Sequence, residues 1–136
     1  MLPKTFAIAL MDAPYESENL TTAFRILDAL ARRGHNINVF AYEGASGLAF
    51  AKQMPHPNPL HGKNLAEENH PTTKDQVIAL LALAEKNGGK VDWVNCGMCV
   101  DERGVSEFVE GTRRGSPVDF HAFCEAADNV LAIPTK

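Results

Sequence analysis

Cys96-Gly-Met-Cys99 is the stretch of this sequence richest in chemistry. Two thiols three residues apart stand one helical turn from each other, so their sulfurs can approach. Cys96 follows the third strand expected over Lys90 to Asn95 and would open the next short helix. A thiolate is favoured at such a junction, because unpaired amides and the positive end of the helix dipole face the sulfur. Cys96 is therefore expected as an ionised nucleophile, open to solvent at a sheet edge. The third cysteine, Cys124, lies on an apolar stripe with Phe120, Phe123 and Ala127 and is expected to fill core. An odd number of cysteines in a short chain argues against a disulfide scaffold.

Three uses of these thiols compete. A thioredoxin-like dithiol is suggested by the spacing. Its placement argues the other way, since the pair lies in the last third of the chain and Pro117 reads as a helix-start proline. A zinc site would take Cys96, Cys99, His121 and Cys124, three sulfurs and one nitrogen. With Cys124 turned inward and a domain large enough to fold without metal, no metal and no cofactor is expected. A carrier of persulfide or thiosulfonate needs one accessible thiolate and a protected pocket. From a different class comes a non-catalytic assembly subunit, in which Cys96 would be buried and inert.

Other residues expected at the same edge are Asp12 and Tyr15, after the first strand, and Arg103, whose guanidinium suits sulfonate oxygens. Gly97, beside the thiol, is counted with them as substrate-binding. His56, His61 and His70 share a proline-rich loop, with a spacing that fits no metal motif. Gly111-Thr-Arg-Arg-Gly115 reads as a turn, with anion binding by Arg113 and Arg114 as the alternative.

The elements that position these residues alternate. Phe6 to Met11 reads as a buried strand. Ser17 caps a helix carrying Leu20, Ala23, Phe24, Leu27 and Leu30, which ends at Gly34. Asn36 to Tyr42 is a second strand and Ala45 to Gln53 a short helix. Residues 54–72 are irregular, with four prolines. Thr73-Lys-Asp-Gln76 reads as a capping box, and the helix behind it ends at Asn87-Gly88-Gly89. Lys90 to Asn95 is the third strand, and Val105 to Gly115 is ambiguous. Ser116-Pro117-Val-Asp119 starts a last helix, and Asn129 to Ile133 is the final strand. Strands alternating with helices imply a mostly parallel sheet covered on both faces, a three-layer α/β domain. Ligands in such sheets bind beyond the carboxyl ends of the strands.

The 136 residues suit one domain, 1–136. With 45% apolar and 22% charged residues the chain is an ordinary globular one. A net charge of -4, with Arg32-Arg33 and Arg113-Arg114 as the tight basic pairs, argues against direct nucleic-acid binding. Phe6 to Met11 is the longest clean apolar run, too short to cross a bilayer or to serve as a secretory segment, so a cytoplasmic location is expected.

Taken in order, these residues resemble the DsrE/DsrF-like sulfur-relay family, which includes the TusD-type subunits. Asp12-Ala13-Pro14-Tyr15 is similar to the family's Ala-Pro-Tyr turn, and Arg33-Gly34-His35 to its Lys-Gly-His boundary. Cys96 stands where the family carries its sulfur-bearing cysteine, with Arg103-Gly104 at the family's Arg-Gly spacing. Glu125-Ala126-Ala127-Asp128 is similar to its closing Glu-Ala-Ala-Asp. The resemblance spans nearly the whole chain. It implies a homo-oligomer (dimer, trimer or hexamer) that carries sulfane sulfur on Cys96. The implied partners are a rhodanese-like or desulfurase donor and a small sulfur-accepting protein. Cys99 departs from the family, which usually has small apolar residues after its cysteine. A resolving thiol there could discharge a persulfide as hydrogen sulfide or hold a trisulfide. The segment from Gly104 to Ser116 is also short for the family.

Overall fold

The computed structural model describes residues 2–56, 60–68 and 71–135. Strand β1 (Thr5–Leu10) leads into helix α1 (Glu18–Arg32) and strand β2 (Asn36–Ala41). A 3-10 turn (Glu43–Gly47) and the short helix α2 (Leu65–Glu68) precede helix α3 (Thr73–Lys86). Strand β3 (Val91–Cys96) runs into helix α4 (Gly97–Arg103). Strand β4 (Thr112–Gly115), helix α5 (Pro117–Ala126) and strand β5 (Asn129–Ile133) complete the chain.

All five strands pair in parallel, in the order β4-β3-β2-β1-β5. The chain therefore moves outward from β1 to β4, then crosses back to set β5 on the other side of β1. Right-handed crossovers that reverse direction must place helices on opposite faces. The two cores show this. On one face Ile8, Leu10, Ile37, Val39 and Trp93 pack with Leu20 and Leu27 of α1 and Val77 and Leu80 of α3. On the other, Ala7, Phe40, Val94, Cys96 and Cys99 pack with Phe123 of α5, with Phe120 and Tyr42 against them. This is the single three-layer α/β domain expected from the alternating pattern.

Trp93 is the largest fully buried side chain. Its ring stacks near Phe24, centroids 6.4 Å apart, and its Nε1 donates to Asn95 Oδ1 at 3.1 Å. Asn95, also fully buried, reaches Thr112 Oγ1 on β4. A polar thread thus ties the centre of β3 to the edge strand.

Several local expectations shift. β4 falls where a turn was expected. Thr112-Arg-Arg-Gly115 has no apolar alternation to mark it, and pairing with the free edge of β3 makes it a strand. Arg113 lies opposite Val94 and bonds Asp92 at 3.0 and 3.1 Å and Asp119 of α5 at 3.1 Å. The capping box of α3 sits one residue earlier than read: Thr72 is the cap and Asp75 its partner. The Thr73 hydroxyl instead donates to Leu48 O at 3.0 Å. Only the 3-10 turn forms in the region expected as a helix over 45–53, because Ala51 N donates to Glu107 O and Phe50 bridges Phe108. Among the described residues, no helix is long and apolar enough to cross a membrane.

Candidate functional site

Strand alternation decides where the first thiol points. Residues two apart share a face, so Cys96 follows Val94 toward the α5 layer. Cys96 is also the N-cap residue of α4, with extended φ and ψ of -60° and 120°. Gly97, Met98 and Cys99 form the first turn of that helix, so Cys99 comes round beneath Cys96 while Met98 faces out.

The expected junction of strand and helix is present, but the expected exposure is not. Cys96 is 3% exposed and Cys99 6% in the single chain. The cause is the apolar cluster that α5 brings over the end of β3, chiefly Phe123. Cys124 is only half-buried.

The two thiols differ in their surroundings. Cys99 Sγ accepts a hydrogen bond from the Glu43 amide at 3.1 Å. Burial, then the hydrogen-bonding contact with the Cys96 thiol, push the Cys99 thiol up. The Glu43 amide and, more weakly, Arg103 pull it down. Glu43 presents that amide from a left-handed conformation, φ 51°, which a non-glycine residue adopts at a cost of about 1–3 kcal/mol.

Beside Cys96 stands Arg114. Its guanidinium packs over Gly97 so closely that a Cβ there would lie 2.7 Å from Nε. Glycine is what lets the charge approach the backbone next to the thiol. Asp101 of α4 grips Arg114 through two bonds of 2.8 and 2.7 Å. Hydrogen bonding to Asp101 raises Arg114 above its ordinary range, and the charge of Cys96 adds a smaller push the same way. Arg114 in turn holds the Asp101 carboxyl below its own.

Arg103 lies on the same short helix and pairs loosely with Glu102 at 3.7 Å, its charge reaching Cys99. Gly104 ends the helix in the left-handed region, φ 67°, which gives the Arg-Gly pair a structural role as well.

The strand ends supply the remaining candidates. Asp12 is buried and accepts from the Ser17 hydroxyl, the N-cap of α1. Its Oδ1 has no hydrogen-bond partner, the one such buried side-chain atom among the described residues. Ala13, next to it, packs against Gly44, where a Cβ would lie 2.8 Å from that of Ala13. Tyr15 takes a left-handed conformation, φ 63°, and is more than half exposed, its ring edge-on to His56 at 6.4 Å. The structure thus gathers Cys96, Cys99, Gly97 and Arg103 around α4, while Asp12 turns to α1 and Tyr15 to the His56 loop. His61 is exposed, and His70 lies outside the described residues. His121 is exposed, 3.6 Å from Glu125. Among the described residues, no three histidine, cysteine or acidic side chains are grouped to hold a metal ion.

One participant escaped the reading of the sequence and another was ranked second. Arg114 was read with Arg113 as an anion-binding alternative to a turn. Only the strand, which sends Arg113 to Asp92 and leaves Arg114 for the helix start, singles it out. The Glu43 amide is backbone, and no residue type announces it.

The model of the DsrE/DsrF-like family matches residues 4–133, and the chain belongs to that family. It is 27% identical over 128 residues to the uncharacterized protein MJ0989 of Methanocaldococcus jannaschii, covering 93% of this chain and 96% of the relative. The crystal structure of the ychN protein from E. coli superposes with a TM-score of 0.72 at 22% identity. That match covers 95% of this chain and 98% of the other, and it shows a shared fold.

Proposed function

We propose that this protein carries sulfane sulfur on Cys96, as a persulfide or thiosulfonate, and passes it between partner proteins. The observation that carries this reading is the Arg114 guanidinium lodged over Gly97, a fixed cation beside a cysteine at a strand-to-helix junction. In the loading step the Cys96 thiolate attacks the outer sulfur of a donor persulfide. The donor's sulfur–sulfur bond breaks, its thiolate leaves, and the transferred sulfur is held as an anionic persulfide. A thiolate of the acceptor then takes that sulfur and frees Cys96. No cofactor takes part.

Burial of Cys96 means that a side chain must move before a donor arrives. The cover is the α5 cluster led by Phe123, so that ring is the group to swing, while Arg114, gripped by Asp101, keeps its place over Gly97. Its charge also suits anionic donors. The donor would be a rhodanese-like protein or a desulfurase, the acceptor a small sulfur-binding protein. The chain would act as a cytoplasmic homo-oligomer, a dimer, trimer or hexamer. The same burial favours a second reading, an assembly subunit with no sulfur traffic.

One assay separates the two. After brief incubation with polysulfide or a thiosulfonate, the carrier gains the mass of one sulfur atom, and Cys96→Ser gains none. Arg114→Ala should lower the rate with the anionic donor relative to a neutral alkylating agent by about fivefold, the equivalent of roughly 1 kcal/mol. No gain by wild type leaves the assembly subunit.

A further inference from the structure

We infer that Cys99 is a resolving thiol, which attacks a persulfide on Cys96, releases hydrogen sulfide and leaves a Cys96–Cys99 disulfide. This rests on the carrier reading and extends it from relay to reductive discharge.

Placement is the first argument. Cys96 caps α4 and Cys99 is the third residue of its first turn. Both belong to one apolar cluster, and Cys96 is close enough to push the Cys99 thiol up. A disulfide requires Cβ atoms about 3.5–4.5 Å apart, somewhat closer than the roughly 5–6 Å between residues one helical turn apart, so a small backbone shift at the N-cap brings the sulfurs to bonding distance. The second argument is the hydrogen bond from Glu43. A sulfur that only filled core would need no amide aimed at it, whereas a sulfur that must become a thiolate gains from that donor.

The step balances without an external oxidant. Cys99, as thiolate, attacks the inner sulfur, Sγ of Cys96. The proton that Cys99 gives up passes to the outer sulfur, a bond forms between the two Sγ atoms, the bond from Cys96 Sγ to the outer sulfur breaks, and hydrosulfide leaves with the electron pair. The outer sulfur is reduced and the two cysteines are oxidised. Attack on the outer sulfur would merely move the persulfide to Cys99. Restoring both thiols takes two electrons from a dithiol reductant.

Three groups act on Cys99 directly, Cys96 at the end of β3, the Glu43 amide from the 3-10 turn and Arg103 within α4, while Arg114 of β4 acts on Cys96. Burial and Cys96 hold the proton on Cys99, and the anionic persulfide must take up a proton as Cys99 gives one up, so discharge should change little with pH below the titration of Cys99.

The test uses the intact protein, loaded with polysulfide and freed of excess donor by rapid desalting. Mass and free sulfide are then followed together. Wild type should lose the added sulfur, release about one sulfide per loaded chain and end two hydrogens lighter than the reduced protein. Cys99→Ser and Cys99→Ala should hold their sulfur at least about tenfold longer. Equal persistence in wild type and both variants overturns the resolving role and leaves the carrier intact. Failure of Cys99→Ser and Cys99→Ala to load while wild type loads and discharges would also overturn it, placing Cys99 in acquisition. Failure of every form to load removes the carrier reading, and this inference with it.

Discussion

Trp93→Ala should unfold at far lower denaturant than wild type, with a loss of about 3–5 kcal/mol from the emptied core alone. The indole is completely buried at the centre of β3, between α1 and α3. Its removal also strips Asn95 Oδ1 of its donor, and a buried oxygen left without a partner costs a further 1–3 kcal/mol or so. A domain of this size has about 5–15 kcal/mol in total, so the variant stands near the limit of folding. Urea or thermal melts read the effect directly. Trp93→Phe, which keeps a ring there, should lose clearly less. A melting temperature within a few degrees of wild type for Trp93→Ala would show that the thread from Trp93 through Asn95 to Thr112 holds nothing.

Gly115→Val joins stability to the site. A Cβ at 115 would lie 2.4 Å from Val94 Cγ1 and 2.5 Å from Asp119 Oδ2. The first contact drives β4 away from β3, since Gly115 lies opposite Cys96 in the register. The second breaks the capping box of α5, in which Asp119 accepts from Ser116 N at 2.8 Å. Overpacking and the lost cap together should cost about 2–4 kcal/mol. Arg114 is the neighbouring residue, so its guanidinium leaves Gly97 and sulfur loading slows even where the protein remains folded. Gly104→Ala is the contrast. Nothing lies within 4 Å of its Cβ position, and only the left-handed φ of 67° resists, at about 1–2 kcal/mol. Equal loading by Gly115→Val and wild type would detach the position of Arg114 from the chemistry.

The sheet was readable because its three inner strands are buried on both faces and so are rich in apolar and β-branched residues between turn signals. Phe6 to Leu10, Ile37 to Ala41 and Val91 to Cys96 announce themselves. β4 does not, because an edge strand of four residues built on two arginines has its reasons elsewhere, in Asp92 and Asp119. Helix starts were legible to within a residue. Thr72 and Thr73 stand side by side, and only the tertiary bond from Thr73 to Leu48 decides which of them caps. The place of Cys96 at the end of β3 was equally legible. Its burial was not, because that depends on Phe123 arriving from α5, a helix that follows the cysteine in the chain by more than twenty residues. Arg114 was legible as a possible anion binder, but its place beside the thiol comes from strand register, and the Glu43 amide is backbone that no residue type marks.

Everything functional here depends on which sulfur atom accepts the cargo. The direct measurement is peptide-level mass spectrometry of the protein shortly after exposure to polysulfide, with free thiols blocked before digestion. The added sulfur should be found on the side chain of Cys96, with Cys99 and Cys124 blocked as ordinary thiols at that early time. Recovery of the sulfur on Cys124, or on no cysteine at all, would contradict the account.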